Sequence, residues 1–387
     1  MKFAHLADTH LGYRQFGLIE REKDFYEVFE KIIDKIIDEK VDFVIHSGDL
    51  FDNSRPTPIA LLTFQKGLLK LKNANIPVFA VAGNHDSVLR KGSIPPQVLF
   101  KKFGLKLISP INTNYMFEDV FIGGLPFYPS SQDKNLKNKL AELSKKAANH
   151  EKSILVLHQG IDKYFNLSYE LEIGDIPDNF SYYAMGHLHN YINDDFGKGK
   201  LVYPGSSEIW KTNEIKDYKE NGKGFVIVDL DGAKPSVKRV KIDLPREFIE
   251  KSIDYETLDS GIEEIKETIK NFDKKPILNL TVENVTSTSH AHDIINQELD
   301  SLALMIRPKF ITPGEENIDL IIDKENASGP VEILSSRLES YDDEDITKFA
   351  VDLYNLLSKD KIEEAEELIQ DFYNKKYPVE EEEEVED

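Results

Sequence analysis

Five short polar motifs each close an apolar run, and this alternation constrains the fold of the chain more than any other feature. In order they are Asp8-Thr9-His10, Gly48-Asp49-Leu50-Phe51-Asp52, Gly83-Asn84-His85-Asp86, His158-Gln159-Gly160 and Gly186-His187-Leu188-His189. The runs that precede them cover residues 2–7, 42–47, 77–82, 153–157 and 182–185, and read as buried strands. Between the first two, Phe25, Val28, Phe29, Ile32, Ile33, Ile36 and Ile37 recur at the three-and-four spacing of an amphipathic helix over 21–40. A second helix is expected around 58–73, with further strands at 121–123 and 225–229. Alternating strands and helices predict an α/β layered sheet with helices on its faces. Open sheets of this kind bind ligands beyond the carboxyl ends of their strands, where all five motifs fall.

The residue types in those motifs suit two divalent ions. Asp8, His10, Asp49, Asn84, His158, His187 and His189 offer carboxylate, amide and imidazole donors. Phosphodiesters are kinetically inert, and two ions about 3.5–4 Å apart polarise phosphate oxygens and lower the pKa of a water. Asp49 is the natural bridge, because one carboxylate has an oxygen for each ion. Asp8 and His10 are two residues apart, as are His187 and His189, so an irregular turn after each strand would direct both side chains inward. Asn84 adds a neutral oxygen and limits the negative charge. Gly48, Gly83 and Gly186 are expected to let the backbone turn sharply beside the ions. His85 is the candidate general acid for the leaving alkoxide, with an ordinary pKa near 6.5 that suits the task. Asp86 either orients it or caps the following turn.

Composition bounds the rest. A chain of 387 residues implies two or three domains. No stretch approaches the roughly 20 apolar residues needed to span a bilayer. The N-terminus opens straight into a strand pattern, so the default expectation is a cytoplasmic protein with no membrane partner. The absence of cysteine excludes disulfides and thiolate metal sites. A net charge of −22 argues less against a nucleic-acid partner than it first suggests. From residue 336 onward there are 19 Asp and Glu against 6 Lys and Arg, so more than half of the excess lies in one segment. Residues 1–240 carry all five motifs, and 241–311 read as a small α+β domain with no catalytic constellation. Residues 312–341 read as an irregular linker, and 342–387 as two helices, near 343–357 and 361–373, with an acidic tail. Ile346, Phe349, Ala350, Leu353 and Leu357 share one helix face, and Ala365, Leu368, Ile369 and Phe372 the other. Such a pair cannot bury both faces alone and must dock on something.

Together the motifs resemble the calcineurin-like metallophosphoesterases, whose pattern is DxH, GDxxD, GNH[DE], H and GHxH. That resemblance implies Asp8, His10, Asp49 and His189 around one metal, and Asp49, Asn84, His158 and His187 around the other. The opening Lys2-Phe3-Ala4-His5-Leu6-Ala7-Asp8-Thr9-His10-Leu11-Gly12-Tyr13 narrows it, with Ser54-Arg55-Pro56, Leu157-His158-Gln159-Gly160 and Tyr203-Pro204-Gly205-Ser206. These look like the nuclease subunit of the DNA double-strand-break repair complex, the meiotic-recombination-eleven/SbcD family in its archaeal form. The resemblance implies a layered β-sandwich flanked by helices, a small α+β capping domain and a C-terminal helical pair. It implies 3′-to-5′ exonuclease and single-strand endonuclease activity with two manganese (Mn2+) ions per subunit. It also implies a homodimer on DNA, joined to a RAD-fifty/SbcC-type ABC ATPase as a heterotetramer, and hence a nucleoid-associated location. Many relatives carry histidine three residues after the bridging Asp, a residue associated with exonuclease action; here it is Asp52. Competing readings are a phosphodiesterase of small or cyclic nucleotides, or a non-catalytic scaffold.

Other features have plainer readings. His5 and His46 lie inside strand patterns and are expected to be packed or to support ligands. His290 and His292 are expected at a helix start, and Trp210 in the core or an interface. Lys234, Lys238, Arg239 and Lys241 form either a solvated strand face or a phosphate contact, and Arg55 sits in a loop near the bridging Asp. The apolar faces of 58–71 and 96–103 are either core or, by the resemblance, part of a dimer bundle.

Overall fold

The computed structural model describes residues 1–87, 94–165, 169–232, 234–313, 344–358 and 362–376. It divides into a unit over 1–313 and a second over 314–387. In the first unit, β1 (Lys2–Leu6), β2 (Phe43–His46), β3 (Val78–Ala80) and β4 (Leu105–Leu107) run parallel. The next strands build a separate sheet: β5 (Asn114–Phe117), β6 (Val120–Gly124), β7 (Lys152–His158), β8 (Tyr182–Gly186), β9 (Ile192–Phe196) and β10 (Gly199–Tyr203). The chain then returns to the first sheet with β11 (Gly224–Asp229), antiparallel to β1, and β12 (Ser236–Lys241). The orders are β12-β11-β1-β2-β3-β4 and β5-β6-β7-β8-β10-β9.

Alternation along each strand explains the layering. Phe3, Phe43, Ile45 and Phe79 from one sheet meet Ile154, Val156, Tyr182 and Ala184 from the other. The intervening Ala4, Leu6, Val44 and Val78 lie beneath α1 (Ile19–Asp38) and α2 (Pro58–Asn73). Leu155, Leu157, Tyr183 and Met185 lie beneath α3 (Asp133–Ala147). The result is helix, sheet, sheet, helix. This agrees with the sandwich implied by the resemblance and corrects the single layered sheet read from the apolar pattern. A strand apolar on both faces looks the same whether a helix or a second sheet covers it. Phe3 stacks on Phe43 at 4.8 Å at the centre of this interface, and truncating it to alanine is expected to cost about 3–5 kcal/mol. The apolar pattern did not mark α3, because lysines flank a narrow stripe of Leu136, Leu140, Leu143 and Ala147.

A short helix α4 (Ile215–Asn221) precedes β11. Beyond β12, the parallel strands β13 (Phe248–Asp254), β14 (Ile277–Glu283) and β15 (Met305–Phe310) pack on α5 (Leu258–Ile269) and α6 (Thr288–Leu299) around their own core. Ser287 caps α6, its hydroxyl accepting the His290 N–H at 3.4 Å, so the helix starts earlier than residue 292. His290 and His292 are exposed on it. A buried ion cluster ties this sheet to the sandwich. Asp24 receives Arg21 at 2.8 Å and Arg246 at 2.7 Å, and Arg21 also meets Glu208 at 3.2 Å. Removing one member of such a cluster leaves an uncompensated buried charge, worth about 3–5 kcal/mol.

In the second unit, α7 (Glu344–Leu357) and α8 (Ile362–Lys376) pair through Phe349 and Phe372, stacked at 4.0 Å, with Ala365 buried. Leu357 and Ile369 remain about half exposed. The expected linker beyond residue 313 and the acidic run 380–384 lie outside the described residues. Among the described residues, no helix is long and apolar enough to cross a membrane.

Candidate metal centre

The loops that carry the candidate ligands owe their shape to backbone conformations that side chains other than glycine rarely adopt. Asp8, His10, Asp49 and His187 have φ of 51°, 41°, 53° and 95°. Left-handed residues of this kind are costly and persist only where surroundings over-determine them, commonly at functional sites. The first two loops hold each other in that state: Asp8 N–H donates to Gly48 O at 3.0 Å and His10 N–H to Asp49 O at 3.1 Å. Thr9, between the two left-handed residues, donates its hydroxyl to Leu50 O and meets His46 Nε2, both at 3.0 Å. His5 bridges Tyr182 OH at 2.9 Å and Ser47 Oγ at 2.8 Å. Burial pushes both of these supporting histidines down to about 3, so they stay neutral.

Close approach matters as much as turning. Gly48 has φ of 101°, and a Cβ there would lie 2.3 Å from His158 Nδ1. Gly83 lies outside the left-handed region, but a Cβ there would lie 2.1 Å from Asp49 Oδ1. Asp86, fully buried, accepts N–H bonds from Gly83 at 3.0 Å, Leu50 at 3.1 Å and Phe51 at 2.9 Å. It staples the Asn84 loop to the Asp49 loop and makes no bond to His85, which excludes the expected orienting role. His85 is instead held by the Asp52 main-chain carbonyl, which accepts from its Nδ1 at 2.7 Å.

All seven expected donors converge between the two sheets, three motifs coming from the ends of β1, β2 and β3 and two from β7 and β8. Asp49 lies in the middle: its Oδ2 is 3.2 Å from His158 Nε2 and 3.9 Å from His10 Nε2. On one side, His10 Nε2 and His189 Nε2 are 3.2 Å apart, and His189 Nε2 is 3.9 Å from Asp8 Oδ1. On the other, Asn84 Oδ1 is 3.0 Å from both His158 Nε2 and His187 Nδ1. Asp8 also crosses the sandwich, accepting the His187 N–H at 3.1 Å. Asp8, His10 and His189, and separately Asp49, His158 and His187, form compact groups able to hold an ion.

The protonation chemistry fits cations. His158 gives its Nδ1–H to Ser47 O at 2.8 Å and turns Nε2 toward the Asp49 and Asn84 oxygens. Three acceptor atoms then face one another, which is stable only with a proton or a cation among them. Although burial opposes it, Asp49 pulls the His158 imidazole up to about 9, while the same histidine holds the buried Asp49 carboxyl well below its usual range. Burial pushes Asp8 up to about 6, lowers His10 well below its ordinary value and lowers His187 to about 3. A nitrogen and oxygen donor set without thiolate suits Mn2+ or another divalent first-row ion. Asp49, Asn84, His187 and His189 line a pocket of about 380 Å³, with the partly exposed His85 and Trp210 in its wall.

Residues 1–191 match the family model of the calcineurin-like phosphoesterases. The chain is 42% identical over 281 residues to the DNA double-strand break repair protein Mre11 of Methanocaldococcus jannaschii, covering 72% of this chain and 75% of that protein. It is 35% identical over 379 residues to the Mre11 of Sulfolobus acidocaldarius, covering 94% and 97%. For the Saccharolobus solfataricus Mre11 the figures are 32% over 390 residues, 97% and 98%. The chain belongs to the Mre11 family.

Within this Mre11-family site, several important residues carry no sequence motif. Glu214 accepts the His189 Nδ1–H at 2.8 Å. The fully buried Lys223 holds Glu214 in place, donating to Glu214 Oε2 at 2.6 Å, Ser206 Oγ at 2.6 Å and His189 O at 3.1 Å. Such outer partners fix ligand tautomer and direction. Trp210 stacks on His10 at 5.3 Å, which moves it from the expected core or interface role to the wall of the pocket. Asp52 Oδ1 is 4.0 Å from both His10 Nδ1 and His85 Nδ1, and burial pushes its carboxyl up. The basic cluster disperses: Lys234 pairs with Asp195 at 3.5 Å and Lys238 with Glu39 at 3.4 Å. Arg239 donates to Pro204 O and, at 2.9 Å, to Gly222 O, while Lys241 donates to Glu220 O at 3.3 Å. Arg55 is exposed.

Proposed function

We propose that the chain is a dinuclear-metal DNA nuclease that processes ends in double-strand-break repair with an ABC-type ATPase. The central position of Asp49, between His10 on one side and His158 on the other, carries this reading. Asp8, His10, Asp49 and His189 would hold one ion, and Asp49, Asn84, His158 and His187 the second, with Mn2+ the fitting metal. Two such ions supply Lewis acidity toward the phosphate and a nucleophile at neutral pH. The chain supplies the rest. Glu214 and Ser47 O fix which nitrogens of His189 and His158 face inward. His85 keeps one proton on Nδ1 against Asp52 O, so its Nε2 is the atom that can pass a proton to a leaving 3′ or 5′ oxygen.

That the relatives are DNA double-strand break repair proteins supports the following assembly. Residues 1–240 would be the nuclease core, 241–311 a capping domain over DNA, 312–341 a linker and 342–387 the ATPase-binding helical pair. Ile59, Leu62 and Leu69 on α2, with Leu99 nearby, expose apolar surface suited to a homodimer. Two chains with two ATPases would make a heterotetramer at the nucleoid. The test offers purified protein and Mn2+ to single-stranded circles, duplex ends and small phosphodiesters, alongside His85→Ala. DNA cleavage that falls at least about 100-fold in the variant supports the reading. Turnover of a cyclic nucleotide with no DNA cleavage refutes it. For the helical pair, truncation after about residue 335 should abolish copurification of the ATPase, and undiminished copurification would refute that assignment.

A further inference from the structure

A second pocket, of about 310 Å³, lies directly across the Trp210–Lys211 ridge from the metal pocket and takes no part in the chemistry described above. The two pockets share Trp210, Lys211 and Asn213 as lining. The indole of Trp210 stacks on His10 and lies tilted to the Tyr13 ring, each at 5.3 Å. Phe16 supplies another ring, with the Arg307 guanidinium 5.1 Å from its centre. The Lys211 ammonium sits 4.4 Å from the Trp210 ring. Both cations are exposed, and among the described residues no carboxylate lines this pocket, in a chain whose net charge is −22.

We propose that this pocket seats one unpaired nucleobase of the strand being cut, with its flanking phosphates against Lys211 and Arg307. Aromatic faces accept any base by stacking, and the two cations suit the backbone that carries it. A base held in a duplex cannot enter, so the pocket would favour unpaired or unwinding ends. Arg307 lies on β15, so seating a base would also join the β13–β15 sheet to the sandwich. The inference rests on the nuclease reading for its substrate, but its test does not depend on cleavage.

The experiment uses the full chain in EDTA with single-stranded oligonucleotides bearing 2-aminopurine at successive positions, reading fluorescence and anisotropy. One position near the strand end should be strongly quenched on binding. Phe16→Leu, which keeps bulk but removes the ring, should abolish that quench. Arg307→Ala, at an exposed site with little bearing on folding, should weaken binding about tenfold and lower its salt dependence. Equal quenching at every position, or quenching untouched by both variants, would overturn the proposal. Adding Mn2+ then separates the two claims. A position-specific quench without cleavage keeps the pocket and sinks the nuclease reading, whereas cleavage without such a quench does the reverse.

Discussion

Glu214→Gln removes one negative charge and little volume from a side chain that joins the candidate ligand His189 to a buried ammonium. Glu214 Oε1 accepts from His189 Nδ1 at 2.8 Å and from the Lys211 N–H at 3.0 Å. Glu214 Oε2 accepts from Lys223 at 2.6 Å and from the Ser206 hydroxyl at 2.9 Å. Two separable losses follow. His189 loses the carboxylate that fixes its tautomer and ring direction, worth about 10- to 100-fold in metal affinity, or ~1.4–2.7 kcal/mol. Lys223, with no exposed surface, keeps only neutral oxygens around its charge, and breaking a buried pair costs about 3–5 kcal/mol of stability. Calorimetric titration with Mn2+ should show two binding events in the native protein. The variant should weaken one of them, that at Asp8, His10, Asp49 and His189, and leave the other near its native affinity. Lys223→Met is the control: it breaks the same ion pair and the bond to His189 O but keeps the Glu214 carboxylate on the His189 ring, so it should lose stability without weakening metal binding. Equal weakening of both ions, or equal weakening in both variants, would show that Glu214 acts only by holding the loop together.

Three further perturbations test other parts of the site. Gly83→Ala brings a Cβ to 2.1 Å from Asp49 Oδ1 and should abolish binding of both ions while the sandwich still folds; calorimetry showing two native-affinity ions would refute the packing argument. His46 is neutral and buried with its pKa lowered to about 3, so the unfolded chain takes up a proton that the fold refuses. Its contribution to stability is complete above about 6.5 and is lost as pH falls from there toward 3. Urea titrations of metal-free His46→Gln near pH 5 should show a slope with pH smaller by about one proton, ~1.4 kcal/mol per pH unit, and an unchanged slope would contradict this. Asp52→His replaces a carboxylate 4.0 Å from His85 by a group that can carry positive charge toward the phosphate. Exonuclease turnover on duplex ends should rise about tenfold or more, and a fall would refute the charge argument.

The convergence of the candidate metal donors is legible in the sequence because each donor sits beside the strand that delivers it. Asp8, Asp49 and Asn84 follow apolar runs by a few residues, so strand-end placement alone implied convergence. What remained hidden depends on packing between distant segments. Nothing in 153–157 or 182–185 says that a second sheet, rather than a helix, covers the first, since both require an apolar face. Glu214 and Lys223 meet His189 from 25 and 34 residues away, through a turn and the bend before β11, which share no periodic signal. Asp86 follows His85 in the chain yet points to Leu50 and Phe51. Adjacency suggested a partnership there, and the backbone amides of the neighbouring loop won instead. Trp210 read as core or interface, the usual places for a lone tryptophan; only the fold shows it stacked on His10.

Anomalous diffraction from crystals soaked in Mn2+ tests the central claim most directly. Two peaks about 3.5–4 Å apart are expected, with Asp49 contacting both, His189 contacting one and His158 the other. A single peak, or two peaks with Asp49 bound to only one of them, would contradict the dinuclear account.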